Sequence, residues 1–344
     1  LEDNSSVGEF ELLAKVWERL PAAGPRLRLG AGDDAAVTVP GGATATSVDA
    51  LVEGVHFRRG QARLALVGRK ALATALSDLA AMGAEAGEAY VVLGAPPDLD
   101  EAECMELVDG IVALATETGT TIAGGDLTRA PALTLAVTVV GHAPRAEDFV
   151  GRGGAGPGDL LVLSGEIGGA AAGLLLLEQP ELAAAVPAET AERLRRRQLD
   201  PTPRLGTGRA LARAGATAMI DLSDGLGGDA GHLAARSGVA LRLDAGTLPL
   251  AKGVAEVAVA AGRDPLKLAA SGGEDYELLA ALPADRLAEA SVAIGEAAET
   301  TLTPIGAVHA GAGVEIRLPG GGQVKATGFD QLSPDSSAGR RAAP

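Results

Sequence analysis

The chain predicts a two-domain protein whose first domain is α+β, on three observations. At 344 residues it is long for a single hydrophobic core. Its first half alternates helical periodicity with β-branched runs. A glycine-rich stretch, VGRGGAGPGD at 150–159, then offers a boundary, placing the domains at 1–149 and 150–344.

Taken in order, residues 8–20 (GEFELLAKVWERL) put Phe10, Leu13, Val16, Trp17 and Leu20 on one helical face. TATSVDALV (44–52) reads as a strand. VGRKALATALSDLAAMGA (67–84) reads as a helix with Leu72, Leu76 and Leu79 inward and Gly83 as its stop. EAYVVLG (88–94) and ALTLAVTVV (132–140) are strands by their β-branched content. Between them lie an amphipathic helix at 100–118 and a turn, AGGDLTR. The second half predicts a strand DLLVLSG, a helix at 168–178, a basic connector ending RRRQLDPTPR and a helix at 205–214. A strand, turn and helix follow over ATAMIDLSDGLGGDAGHLAARSG, then a strand at 272–282 (GGEDYELLAAL) and a tail containing GFDQL.

Composition removes several classes. The chain is 47% hydrophobic and 22% charged, as an ordered globular protein is, but only 2% aromatic, so Ala, Val and Leu must fill its core. A net charge of −16 argues against a nucleic-acid partner, since phosphate backbones require a basic surface. The one cysteine, Cys104, rules out an internal disulfide or a thiolate zinc cluster; its place in an amphipathic helix predicts a buried, inert thiol. No apolar stretch reaches the roughly 20 residues of a membrane span, and the N-terminus has no secretory pattern, so a cytoplasmic enzyme is expected. G-x-G-x-x-G matches from Gly151 to Gly156, but a strand follows it where a dinucleotide site requires a helix. There is no G-x-x-x-x-G-K-[ST], so any ATP is bound another way.

Eight aspartates in short clusters carry the chemistry: Asp33, Asp34, Asp49, Asp78, Asp126, Asp221, Asp224 and Asp229. A converging set would need cations to offset its own repulsion, so the cluster is either a multi-magnesium site or a group of unrelated caps and surface charges. Asp221 is expected to end a strand, Ser223 suits an N-cap, and Asp224 falls in the first helical turn, where the dipole favours an anion. Both aspartates equally suit simple helix capping. His56 is either a structural hydrogen-bonder or a contact to an anionic substrate. Asp78, among apolar helix neighbours, needs a partner, either Lys70 or a metal. In GGEDYELL, alternation sends Glu274 and Tyr276 to one face and Asp275 to the other. Phe329 in GFDQL either plugs the core or stacks on a flat ring.

GDDAAV, SVDALVEGVHF, GRKALATALSDLAAMGA, AGGDLTR, MIDLSDGL, SGGEDYELL and GFDQL occur here in one order, and that order resembles the thiamine-monophosphate kinase family. The resemblance runs from about Gly8 to Leu332 and extends to the aminoimidazole ribonucleotide synthetase-like superfamily. It implies an α+β N-terminal domain with a mixed sheet and helices, whose sheets pair into a dimeric barrel, followed by an α/β C-terminal domain that completes the site. It further implies ATP-dependent phosphorylation of thiamine monophosphate, several magnesium ions and a homodimer. By motif position, Asp34, Ser47, Asp49, Asp78, Asp126, Asp221 and Asp224 would hold the metals. Gly125, Asp126, Arg152 and Ser223 would contact ATP, and His56, Glu274 and Phe329 the thiamine phosphate. Asp126, Asp221 and Asp224 would be catalytic. Val48 stands where the family often has a hydroxyl residue, and Phe329 where Trp or Tyr is common.

The residue inventory agrees with this chemistry independently. A phosphate nucleophile is already ionised at neutral pH, so no general base is required and four histidines are no obstacle. Rival superfamily members that make selenophosphate carry a reactive cysteine or selenocysteine near the N-terminus, which is absent here. A non-catalytic nucleotide-binding protein and a structural metal-binding protein are the other classes to distinguish.

Overall fold

A computed structural model describes residues 9–298, 300–324, 326 and 328. Two compact units result: described residues up to Leu79 with Ala86–Pro144, and Ala80–Glu85 with the described residues from Arg145 onward. In chain order the elements of the first half are α1 (Glu9–Arg19), β1 (Leu27–Leu29), β2 (Val37–Thr38), β3 (Ala43–Val52), α2 (Leu64–Ala81), β4 (Glu85–Ala95), α3 (Glu101–Thr118), β5 (Thr121–Arg129) and β6 (Thr134–Ala143). The second half supplies β7 (Leu160–Ser164), α4 (Gly169–Glu178), α5 (Ala188–Leu199), α6 (Leu205–Arg213), β8 (Ala218–Asp221), α7 (Leu226–Ser237) and β9 (Ala240–Asp244). It closes with α8 (Val254–Ala260), α9 (Pro265–Ser271), β10 (Leu278–Leu282), α10 (Leu287–Ala298), β11 (Leu302–His309), β12 (Gly313–Arg317) and β13 (Gln323–Val324).

The first unit is built on a four-stranded sheet in the order β3-β6-β4-β5, with β3 and β6 antiparallel and β4 and β5 parallel. Leu72, Leu76 and Leu79 of α2 are fully buried, as the period predicts. Asp100 caps α3 in a reciprocal capping box with Glu103, and Gly119 ends that helix in the left-handed conformation. α2 and α3 come close enough that a Cβ on Gly68 would lie 2.1 Å from the Leu107 carbonyl, and one on Gly110 would lie 1.9 Å from that of Ala65. Cys104 is buried in α3, and burial pushes its thiol up to about 11, leaving it unreactive.

AGGDLTR is not a turn. It is the body of β5, parallel to β4 with an irregularity at Ala89/Tyr90. The Gly-Gly pair that imitates turn chemistry instead serves close approach: a Cβ on Gly125 would lie 2.1 Å from the Val91 carbonyl oxygen.

The second unit carries a seven-stranded sheet, β13-β12-β9-β11-β7-β10-β8, antiparallel except where β12 meets β9. β8 and β10 are buried along their whole length, which is why AMID and LLAAL read as apolar runs rather than alternations. α7 and α9 pack on the sheet in one core, while α4, α5 and α8 form a second, helical core. Neither sheet closes on itself among the described residues. Among those residues no helix is long and apolar enough to cross a membrane.

Two further expectations are corrected. The basic connector contains a helix, α5, whose buried residues Thr190, Ala191, Leu194 and Gln198 follow helical spacing with too little apolar content to show it. It stops at Leu199, just before Asp200-Pro201. The strand over 272–282 begins only at Leu278, because Glu274 and Tyr276 adopt φ of 66° and 50° and cannot continue a pleat.

Candidate active site

In the first unit the GDDAA loop and β5 form one wall of a cavity of about 700 Å³, within the usual range for small-molecule sites. Asp33, Asp34, Gly125 and Asp126 line it together, with Tyr90 and Trp17 as its aromatic surfaces. Asp126 faces solvent on β5, so its carboxylate is available to a ligand. Burial, and then the charge of Glu88, hold the Tyr90 hydroxyl above its ordinary range.

β3 places Ser47 and Asp49 on the same, partly buried face, two residues apart, and turns Val48 out to 66% exposure. The Ser47 hydroxyl donates to the Asp78 carboxylate, joining β3 to α2. Lys70 is buried on that helix. Asp49 Oδ1 accepts the Ala50 N–H at 2.7 Å. His56 Nδ1 accepts the Val52 N–H at 3.0 Å, which puts the proton of a neutral ring on Nε2.

In the second unit Asp221 ends β8 and is buried. The helix after it starts later than expected: Gly225, at φ 107°, is the N-cap, so Ser223 does not cap and Asp224 precedes the helix. Asp229 explains the delay. Its Oδ2 accepts the backbone N–H of both Asp224 (3.1 Å) and Gly225 (3.0 Å), holding the turn that leads into the helix. Desolvation, then the charges of Asp221 and Asp224, push Asp229 up to about 8 despite these two hydrogen bonds. Asp229 thus adjoins both Asp221 and Asp224. Its sequence signal was the spacing Asp-x-x-Asp-x-x-x-x-Asp in MIDLSDGLGGD.

The segment before β10 lies beside this turn. Glu274 N–H donates to the Ser223 carbonyl and Tyr276 N–H to that of Leu222, each at 2.9 Å. Gln198 Nε2 donates to the Glu274 carboxylate. The left-handed conformations of Glu274 and Tyr276 cost about 1–3 kcal/mol each and persist only where surrounding contacts enforce them. Arg152 is exposed on the 150–155 loop, anchored by Ser237 Oγ donating to its carbonyl at 3.0 Å. Gly151 O accepts the Met219 N–H at 2.9 Å, which sets that loop along β8. Phe329 lies outside the described residues.

Among the described residues, no three His, Cys, Asp or Glu side chains group tightly enough to hold a metal by themselves. The donor chemistry nevertheless suits magnesium, which takes one or two carboxylates and completes its shell with water and substrate phosphates.

Two family models match the chain: AIR synthase related protein, N-terminal domain, over residues 32–143, and its C-terminal domain over 156–319. Fold and acidic site together therefore define a two-domain AIR synthase-related protein. Thiamine-monophosphate kinase of Mycobacterium tuberculosis is 39% identical over 278 residues, 80% of each chain. The crystal structure of thiamine-monophosphate kinase from Stenotrophomonas maltophilia K279a matches with a TM-score of 0.79 and 38% identity, covering 90% of this chain and 96% of that one. AaThiL complexed with AMPPCP and TMP matches at 0.71 with 29% identity, covering 92% and 96%. The chain belongs to the thiamine-monophosphate kinase family.

Proposed function

We propose that this enzyme transfers the γ-phosphoryl group of ATP to thiamine monophosphate, giving thiamine diphosphate and ADP. The observation that carries this reading is the 38% identity, sustained over 90% of the chain, to a solved thiamine-monophosphate kinase. The AMPPCP and TMP bound in the 29%-identical relative supply the two substrate classes.

In the first unit, Asp34, Ser47, Asp49, Asp78 and Asp126 act as oxygen donors toward magnesium, with Gly125 presenting its backbone to ATP. In the second, Asp221 and Asp224 are the donors, and Arg152 and Ser223 contact ATP. His56, Glu274 and Phe329 are assigned to the thiamine phosphate. Magnesium, when bound, neutralises the facing phosphates and lowers the barrier to their approach. Ser47 orients Asp78 through its hydroxyl, and Asp229 orients Asp224 through the backbone. Gly125 lets β5 lie flush against β4 so that Asp126 projects into the cavity. The acceptor phosphate oxygen needs no base, and transfer is direct and in line. A labelled phospho-aspartate trapped during turnover would overturn direct transfer.

A homodimer built on the exposed face of the four-stranded sheet, where Val48 stands out, completes the proposal. The functional test is a product assay with ATP, magnesium and thiamine monophosphate, using EDTA and free thiamine as controls. Stoichiometric thiamine diphosphate and ADP, abolished by EDTA, is the expected result. ATP binding without product would redirect the search to another phosphate acceptor.

A further inference from the structure

Each of residues 274–277 is held by hydrogen bonds to groups distant in the chain. Glu274 receives Gln198 Nε2 on its carboxylate and donates its N–H to the Ser223 carbonyl at 2.9 Å. Asp275 accepts the N–H of Gly168 at 2.6 Å and of Ala170 at 3.0 Å, at the start of α4. Tyr276 N–H donates to the Leu222 carbonyl at 2.9 Å. Glu277 has no solvent exposure and takes Arg204 Nε at 2.8 Å, Ser164 Oγ at 2.6 Å and Arg197 Nη2 at 3.3 Å; its carbonyl accepts the Leu222 N–H at 2.8 Å.

Two glycines make room for this hold. A Cβ on Gly165 would lie 2.3 Å from Glu277 Oε1, and one on Gly273 would lie 2.4 Å from the Ser223 carbonyl oxygen. The fork of Arg204 on a dry carboxylate is the strongest of the links, being charge-assisted and bidentate. Alternate residues of the segment, Glu274 and Tyr276, are left-handed, and these same two residues pair with Leu222 and Ser223, between Asp221 and Asp224. Over-determined backbone of this kind collects where geometry must be held for function.

We propose that Gln198 and Arg204 are positioning residues: Gln198 fixes the Glu274 side chain, Arg204 through Glu277 holds the backbone in which Glu274 and Tyr276 are left-handed, and together they set where Glu274 meets the acceptor molecule and how the Leu222–Ser223 backbone presents Asp221 and Asp224. Gln198 governs the Glu274 side chain alone, whereas Arg204 governs the whole segment. The role assigned to Glu274 rests on the kinase reading above, but the mechanical coupling does not.

The test uses the full chain with Gln198→Met and Arg204→Lys. Steady-state kinetics vary each substrate in turn, and hydrogen exchange is followed in peptides spanning 272–278. Gln198→Met is expected to raise the acceptor KM about tenfold while leaving the ATP KM and kcat within twofold. Arg204→Lys, which keeps the charge and loses the fork, is expected to raise the acceptor KM and lower kcat about tenfold, with exchange at the Glu274 and Tyr276 amides accelerated to a similar degree. A purely structural ion pair would lower the melting temperature and leave KM and kcat unchanged below it; that result, or unaltered exchange in Arg204→Lys, overturns the proposal. If the wild-type chain does not phosphorylate thiamine monophosphate, the kinase reading fails by itself, and the exchange rates still decide the coupling.

Discussion

Asp229 reaches back across the turn between β8 and α7 to accept the backbone N–H of Asp224 at 3.1 Å, so one carboxylate sets the direction of another. Burial, and then the charges of Asp221 and Asp224, hold the Asp229 carboxyl well above its ordinary range.

Asp221→Asn separates charge from fold. Turnover should fall about 100-fold or more, since a metal-facing carboxylate is removed. The melting temperature without magnesium should hold or rise, because one of the charges repelling Asp229 is gone. Steady-state kinetics beside thermal melts check both halves, and normal turnover would remove Asp221 from the site.

Asp275 predicts a pH dependence of stability. Desolvation pushes its carboxyl up to about 6 from the ordinary 3.8, against the pull of the Gly168 and Ala170 N–H groups. In the folded state it keeps its proton where the unfolded chain has lost it. Its contribution is therefore full below about pH 4, declines as pH rises to 6 and is flat above. Asp275→Asn cannot ionise, so the stability difference between wild type and variant should change by about 2–3 kcal/mol between pH 4 and pH 7. Urea melts at the two pH values measure this; an identical difference at both would refute it.

Gly125→Ala tests the close approach of β5 to β4. A Cβ 2.1 Å from the Val91 carbonyl cannot be accommodated without shifting a strand. The cost should be about 1–3 kcal/mol in a denaturant melt, with a loss of ATP affinity because Asp126 is displaced. Unchanged melting and unchanged ATP binding would mean that the strand yields freely.

Val48→Glu tests the dimer. Val48 is 66% exposed on β3, and a charge there should cost little in an isolated unit but much at a sheet-to-sheet interface. Sedimentation should show wild type at twice the chain mass and the variant shifted toward the chain mass. A wild-type monomer would end the barrel proposal.

Local chemistry decides how much of this was legible in advance. α2 was readable because Leu72, Leu76 and Leu79 repeat at helical spacing and Gly83 ends the run at φ 67°. α3 was readable from its amphipathic pattern, while the Asp100 cap emerged only in the structure. α5 was hidden because its buried face includes Thr190 and Gln198, polar residues whose burial depends on partners far along the chain. In AGGDLTR, Gly-Gly-Asp is as good a turn as a strand until a neighbouring carbonyl, that of Val91, occupies the space a side chain would take.

The site divides along the same line. Sequence alone determined which residues carry oxygen donors and, by the order of seven motifs, the family to which the chain belongs. These are properties of residue type and spacing, and they survive without coordinates. It also placed Asp221 at the end of a strand, but Asp49, Asp78 and Asp126 lie within β3, α2 and β5 rather than at element ends. Only the tertiary structure decided that Gly225 rather than Ser223 is the N-cap and that Asp229 holds the turn before it, that Ser47 meets Asp78, and that Glu274 and Tyr276 are left-handed rather than pleated. Each of those depends on a group distant in sequence, or on a backbone angle that no single residue prefers. A buried hydrogen bond is chosen by whichever partner the fold delivers, and periodicity has no means of naming that partner.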